Sequence, residues 1–326
     1  MKVIGMGNAL VDIMTRLKSD EFLKSFNLPR GSMTLVDLEQ SNLINIQSSG
    51  LDKAKASGGS AANTIHGLAK LGLETSYIGK IGKDDLGKFF KKDIKKSGIK
   101  PVLYQSMSDT GRVIAMISPD SERTMATYLG AAVELSASDI STDIFKGHDL
   151  FYIEGYLVNN FELFSKSLRI ARNNGIKTAL DLASFNVVEE YKDRLCEELT
   201  GYVDIVFANE DESKALTGES PEKAVSTIAE LSEIAVVKIG ARGSLIKRGE
   251  EEVHVTAPKI KSIDTTGAGD IYAAGFIYGL SKDLNLKKCG QIGTLLASEV
   301  IQVIGPKLSE DSWKTIREKV STILSE

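Results

Sequence analysis

Asp204-Ile205-Val206-Phe207-Ala208-Asn209-Glu210-Asp211-Glu212 passes from a short apolar run straight into an acid-rich segment, a strand that hands over to a helix. The same alternation extends to both sides. Upstream, Asp149 to Glu154 and Lys177 to Asp181 are predicted strands, with helices predicted over Phe161 to Asn173 and Val187 to Leu199. Downstream come a helix over Pro221 to Leu231 and a strand over Ile234 to Ile239. Nearer the N-terminus, Val3 to Gly7 and Thr75 to Gly79 read as strands, and Ser60 to Leu71 and Asp84 to Ser97 as helices. Strands that alternate with helices in this way build a parallel sheet covered on both faces. The expected fold class is therefore α/β, doubly wound, with a mostly parallel central sheet flanked by helices.

Two stretches break the alternation. Around Thr15 to Asp37 and Pro101 to Tyr128, short extended runs (Met33 to Val36, Val102 to Gln105, Val113 to Ile117, Thr124 to Tyr128) are punctuated by Gly31, Gly111 and Pro119-Asp120. They read as antiparallel strands of a small β-sheet lid, formed by about residues 13–38 and 101–129, over a ligand crevice. The C-terminal part turns helical, over Ile271 to Leu280, Leu286 to Ile304 and a last amphipathic segment with Trp313, Ile316, Val320 and Ile323 on one side. No internal repeat or low-complexity linker divides the chain, so residues 1–326 are expected to form one domain that carries the lid.

With 326 residues, 42% hydrophobic and 26% charged, the chain can bury a large core and keep a soluble surface. A net charge of −4 argues against a nucleic-acid or membrane-surface binder and favours a small-molecule ligand. Lys88, Lys91, Lys92, Lys95, Lys96 and Lys100 alternate with apolar residues at helical spacing, which marks a solvated helix face. Cys196 and Cys289 lie far apart, and His66, His148 and His254 are scattered, so neither a disulfide framework nor a Cys or His metal site is indicated. The expected location is the cytoplasm, and no stretch approaches the length of a membrane span.

Asp264-Thr265-Thr266-Gly267-Ala268-Gly269-Asp270 places a carboxylate after a run of small residues at the mouth of a helix. The first amides of that helix, around Gly267 to Asp270, lack intrahelical acceptors and can hold an anion, while Asp270 can take the proton of an attacking hydroxyl. An Asp-capped helix after a glycine turn would account for the same letters. Ser57-Gly58-Gly59-Ser60-Ala61-Ala62-Asn63 lets a polyhydroxyl ligand approach the backbone, or simply caps the next helix at Ser60. Asp12 lies just past the first strand, near the sheet edge where ligands of open α/β folds bind; taken alone, a helix cap or a solvent-exposed turn explains it better. Asn209 and Glu212 suit a capping box, and can also order water around magnesium. Gly5-Met6-Gly7 is not a dinucleotide fingerprint, because Leu10 stands at its third position, and there is no P-loop motif.

Taken in order, Gly7-Asn8 with Asp12, Gly58-Gly59-Ser60-Ala61-Ala62-Asn63, Asn209-Glu210-Asp211-Glu212, Gly240-Ala241-Arg242-Gly243-Ser244 and the Asp264 to Asp270 motif resemble the ribokinase-like (PfkB) sugar and nucleoside kinases over nearly the whole chain. The resemblance implies a β lid on a parallel-type sheet and ATP-dependent phosphorylation of a hydroxyl. Asp270 would be the base, with Gly267, Ala268 and Gly269 as the anion hole. Asp12, Gly58, Gly59, Asn63 and, more loosely, Glu154 would grip the acceptor. Asn209, Lys238, Gly240 and Gly243 would border ATP, and Asn209 and Glu212 would organise magnesium through water. Asp264 would belong to a potassium loop beside the anion hole, or serve a purely structural role. Ser60 stands where ribokinases usually carry lysine, and Ser60-Ala61-Ala62-Asn63-Thr64 is closer to the adenosine-kinase-like branch, so an adenosine-like nucleoside is the expected acceptor and ribose or fructose the alternative. Phe22, Phe26 and Tyr128 are candidates for a nucleobase slot. A non-catalytic sensor would be expected to lose the base or an anion-hole glycine, and this chain keeps both. The lid edge leaves a monomer and a lid-mediated homodimer both open.

Overall fold

The structure is a computed structural model that describes residues 1–120 and 122–325. The chain opens with β1 (Lys2–Met6), β2 (Leu10–Arg16), α1 (Glu21–Ser25), β3 (Met33–Leu35), α2 (Leu38–Gln47), β4 (Lys53–Gly58) and α3 (Ser60–Lys70). There follow β5 (Glu74–Gly82), α4 (Asp85–Lys96), β6 (Ile99–Ser106), β7 (Thr110–Ile117), β8 (Arg123–Gly130) and β9 (Leu150–Glu154). The middle contains α5 (Phe161–Asn173), β10 (Lys177–Asp181), α6 (Phe185–Tyr202), β11 (Ile205–Asn209), α7 (Glu210–Thr217), α8 (Pro221–Leu231) and β12 (Ile234–Lys238). Last come β13 (Ser244–Arg248), β14 (Glu251–Val255), α9 (Ala268–Leu280), α10 (Leu286–Val300) and α11 (Glu310–Ser325).

Nine strands form one sheet in the order β14-β13-β12-β11-β10-β9-β1-β5-β6. From β12 to β6 all neighbours are parallel, and β13 and β14 add an antiparallel edge. Strand residues alternate between two apolar layers, as a pleated sheet with both faces covered requires. Ile4, Met6, Phe151, Ile153 and Val206 pack with Phe164 and Leu168 of α5 and Leu195 of α6. Val3, Leu150, Tyr152, Ile205 and Phe207 face Ile65 of α3 and Phe276 of α9 on the other side. Helix α9 is apolar on nearly every side because it is enclosed by neighbours, and Gly275 rests so closely on Gly293 of α10 that a Cβ there would sit 2.8 Å from the Gly293 Cα.

A second sheet runs β3-β8-β7-β2-β4 and departs from expectation in three respects. It is mixed rather than antiparallel, since β2 pairs with β7 and β3 with β8 in parallel. It takes in residues on both sides of the expected first segment: β2 begins at Leu10, and β4 occupies Lys53–Gly58, where Ala54 and Lys55 are exposed and no large apolar residue marks the strand. Third, the run Val102 to Gln105 belongs to the central sheet. It lies in β6, which completes a strand-helix-strand crossover through α4 and pairs parallel with β5 at the sheet edge, where Pro101 needs no ladder partner on its free side. Helix α10 also ends at Val300 rather than Ile304; Gly305 at φ +81° and Pro306 follow a turn that a helix cannot continue through. The lysines of α4 lie on its outer face, while Phe90 and Ile94 are buried.

Candidate active site

Four adjacent parallel strands, β9 to β12, each end in a polar residue: Glu154, Asp181, Asn209 and Lys238. Glu154 stands level with Asp181, and Asn209 level with Lys238 two residues further on, so all four reach one rim, the carboxyl edge where ligands of open α/β sheets bind. That rim forms the floor of a cavity of about 1000 Å³ whose opposite wall is the second sheet. The cavity is lined by Asp12, Gly59, Asn63, Glu154, Asn209, Glu212, Lys238, Gly240, Gly267, Gly269 and Asp270, so most of the residues singled out in the sequence meet in one place.

Asp270 sits in the first turn of α9, after Gly267 at φ +74°. Its Oδ1 accepts the Ser60 hydroxyl at 2.7 Å and its Oδ2 accepts the Asn63 amide at 3.0 Å, both from α3. Burial pushes its carboxyl up to about 6; the Asn63 and Ser60 bonds pull the other way, Asp181 adds to the rise and Lys238 opposes it. Among the described residues, the N–H groups of Gly267, Gly269 and Asp270 have no hydrogen-bond acceptor. Ala268, expected to share that role, differs: its N–H closes a turn on the Thr265 carbonyl at 3.1 Å. Lys238 reaches over the same turn, its Nζ 3.0 Å from where a Gly269 Cβ would stand, and pairs with Asp181 at 2.8 Å. Burial works against that ammonium, but Asp181 and Glu212 outweigh it and hold it charged.

Asn209 and Glu212 form the reciprocal capping box of α7. Glu212 accepts both the Asn209 N–H and its side-chain amide at 2.8 Å, and the Asn209 Oδ1 accepts the Glu212 N–H at 2.8 Å. Burial raises the Glu212 carboxyl, Lys238 lowers it, and Asp181 and Asp270 add to the rise. Three carboxylates therefore share one ammonium, an excess of negative charge that suits a bound divalent cation. Among the described residues no group of three or more His, Cys, Asp or Glu could hold a metal ion directly.

Glu154 lines the cavity, yet both its oxygens are committed. Oε1 accepts the Asn8 N–H and side-chain amide, and Oε2 accepts the Ala61 N–H at 2.9 Å, which clamps the β1–β2 loop to the start of α3. Burial pushes that carboxyl up to about 7 despite these bonds. Asp12 lies on β2, in the second sheet, and is buried with its carboxylate in the space that a Cβ on Gly58 would fill. Burial raises it to about 6, and Arg123 and Lys307 moderate the rise. Gly58 thus makes room for Asp12 without lining the cavity itself. Gly243 is also off the cavity: at φ +100° its missing side chain lets the Val255 carbonyl close in.

Asp264 does not line the cavity. It lies behind the Gly267 turn, where Oδ1 accepts the Thr266 N–H at 2.9 Å and Oδ2 accepts the Gly305 N–H and Arg123 Nη1, each at 2.8 Å. Burial opposes its charge, but these three bonds outweigh it and hold the carboxyl below its usual range.

The second sheet gives the cavity an aliphatic wall of Leu10, Val113, Met125 and Leu129, continued by Ala132, Val133 and Leu135. The expected aromatic slot is absent from it. Phe22 and Phe26 stack on each other behind the sheet, and the Tyr128 ring carries the Arg112 guanidinium at 5.4 Å, away from the cavity. Tyr156 is the aromatic residue among those lining it. Sequence reasoning missed Asp181, Arg123, Tyr156 and Lys307. Asp181 had a visible signal, since it ends a predicted strand as Glu154 does; Arg123 and Lys307 depend on contacts between distant segments.

The chain is similar to known proteins over nearly its whole length. Residues 36–313 match the family model described as pfkB family carbohydrate kinase. The crystal structure of adenosine kinase from Sinorhizobium meliloti is 36% identical, with a TM-score of 0.87 and coverage of 98% of this chain and 99% of that one. A probable sugar kinase from Rhizobium etli CFN 42 is 35% identical at a TM-score of 0.87, with 98% of each chain covered. Adenosine kinase of Saccharomyces cerevisiae is 28% identical over 93% of this chain and 96% of its own.

Proposed function

The chain belongs to the pfkB family of carbohydrate kinases, and on that premise we propose that it transfers the γ-phosphate of ATP to the primary hydroxyl of an adenosine-like nucleoside, with Asp270 as general base. It is a ribokinase-like phosphotransferase acting on an alcohol group, close to the adenosine kinases.

In the proposed reaction the acceptor hydroxyl gives its proton to the Asp270 carboxylate as its oxygen forms a bond to the γ-phosphorus and the bond to the β-phosphate oxygen breaks, releasing ADP. The bonds from Ser60 and Asn63 fix the carboxylate's orientation. Charge that builds on the moving phosphoryl group faces the free N–H groups of Gly267, Gly269 and Asp270 and the Lys238 ammonium, donors that need no reorganisation during the step. Asn209, Lys238 and Gly240 border the nucleotide, and Gly243 holds the turn that carries Gly240. Magnesium, when bound, neutralises phosphate charge; Asn209 and Glu212 would hold its waters. Asp12 accepts hydrogen bonds from the ribose diol, with Asn63 beside it.

The aliphatic wall that carries Asp12 decides for a nucleoside. A free sugar would use the same polar floor and leave Met125, Leu129 and Val133 in contact with water, whereas a nucleobase covers them. Burying about 100 Å² of base at about 25 cal/mol/Å² is worth about 2.5 kcal/mol, on the order of a hundredfold in affinity. The test is a kinase assay with Mg-ATP over purine and pyrimidine nucleosides, ribose and fructose. A kcat/KM for adenosine at least about tenfold above that for either sugar is expected. The opposite order would assign the chain to free sugars.

A further inference from the structure

Asp264 stands three residues before Gly267, and its carboxylate is spoken for. The Thr266 and Gly305 N–H groups and the Arg123 guanidinium take it, and both charged side chains are 8% exposed. Two carbonyls around the same loop are engaged as well: Thr265 O accepts the Ala268 N–H, and Ile301 O accepts those of Ile263 and Asp264. A second cation comes from the Gly305-Pro306-Lys307 turn, whose Lys307 Nζ is buried with no hydrogen-bond partner among the described residues. The residues present do not fit a potassium ion coordinated by Asp264.

We propose that Arg123 is a positioning residue that supplies, as a fixed side-chain charge, the cation behind the anion-hole loop, so that phosphoryl transfer by this chain does not depend on a monovalent cation. Two features of Arg123 make this more than a structural ion pair. It is the first residue of β8, in the sheet that forms the acceptor wall, so the loop before Gly267 is tied to the strand that carries Met125 and Leu129. Its guanidinium also acts electrostatically on Asp12, the carboxylate assigned to the acceptor diol. The ion pair therefore holds the donors for the transferring phosphoryl group at a set distance from the acceptor wall, and a freely exchanging ion could do so only when bound. Among the described residues the buried Arg123 Nε has no partner, and Arg123 helps line the cavity.

This inference rests on the anion-hole reading above. The test measures kcat and acceptor KM in about 0.1 M potassium chloride and in tetramethylammonium chloride of equal ionic strength, which keeps screening constant. Wild-type kcat should agree within about twofold between the salts. Arg123→Met, which keeps packing and removes charge, should lose about 10- to 100-fold in kcat through misplacement of the donors, and regain at least about tenfold on addition of potassium or guanidinium ion. Arg123→Lys should keep kcat within about tenfold of wild type and stay indifferent to potassium, and it decides the matter if Arg123→Met does not fold. Activation of the wild type severalfold by potassium overturns the proposal, as does a folded Arg123→Met that keeps full turnover or one that neither ion restores. Potassium activation alongside an intact requirement for Asp270 would remove this inference alone; loss of that requirement would remove the anion-hole reading beneath it.

Discussion

The two walls of the cavity are made from opposite materials. On the central-sheet side, Asp181, Glu212 and Asp270 crowd around Lys238 at strand ends and helix starts, and each of these side chains is held by a hydrogen bond or an ion pair. On the second-sheet side, Leu10, Val113, Met125 and Leu129 offer only shape, with Asp12 and Arg123 as the charged members. A wall of fixed dipoles and charges selects a reaction; a wall of aliphatic surface selects a partner for it. The contrast explains how kinases named for adenosine and for sugars can both resemble this chain closely.

The strongest attack on this division is Asp270→Asn. Asparagine can accept the Asn63 amide on its oxygen and donate its own amide to the Ser60 hydroxyl, so the fold and its melting temperature should survive while kcat falls by at least about a hundredfold. Near-normal turnover would mean that the charged wall is not where the proton goes. Next comes Lys238→Met, which removes a donor over Gly269 and leaves Asp181 buried and unpaired. We expect kcat/KM for ATP to drop by about 10²-fold and stability by about 3 kcal/mol, checked by steady-state kinetics and urea unfolding.

A pH profile sharpens the comparison without mutation. The Asp270 carboxyl is raised to about 6 and must be ionised to accept a proton, so kcat/KM should hold above that value and fall about tenfold per unit below it. A flat profile down to pH 5 would contradict the assignment. The smallest effect belongs to the aliphatic wall: Met125→Ala should raise the nucleoside KM about tenfold and leave kcat within about twofold, because it removes contact made equally in ground and transition states. If kcat collapsed instead, the wall would be taking part in chemistry.

The same contrast governs what could be read from sequence. The central sheet was legible because its strands are short apolar runs such as Ile205 to Ala208, each followed by a helix, and that pattern is local. The second sheet was only partly legible. Its partners come from segments far apart in the chain, its edge strand β4 has lysines where a buried strand would have apolar residues, and the crossover to β6 sits beside it in sequence while belonging elsewhere. Within the site, Asp12, Asn63, Asn209, Lys238 and Asp270 stood out singly through their motifs. The pairing of Lys238 with Asp181 depends on sheet order, since Lys238 on β12 reaches across β11 to β10. Likewise Arg123 meets Asp264 across 141 residues of sequence, a distance over which no local pattern speaks.

The seating of Gly275 on Gly293 has a consequence for motion and for ancestry. Sliding α9 by one residue would bring Ala274 or Phe276 against the backbone of α10, where there is space for neither, so the helix has a single seat. It serves as an anvil, and whatever closing stroke the catalytic cycle contains falls to the sheet across from it. Descendants of this chain can trade one cargo for another by recutting that opposing sheet, provided the anvil is left where it stands.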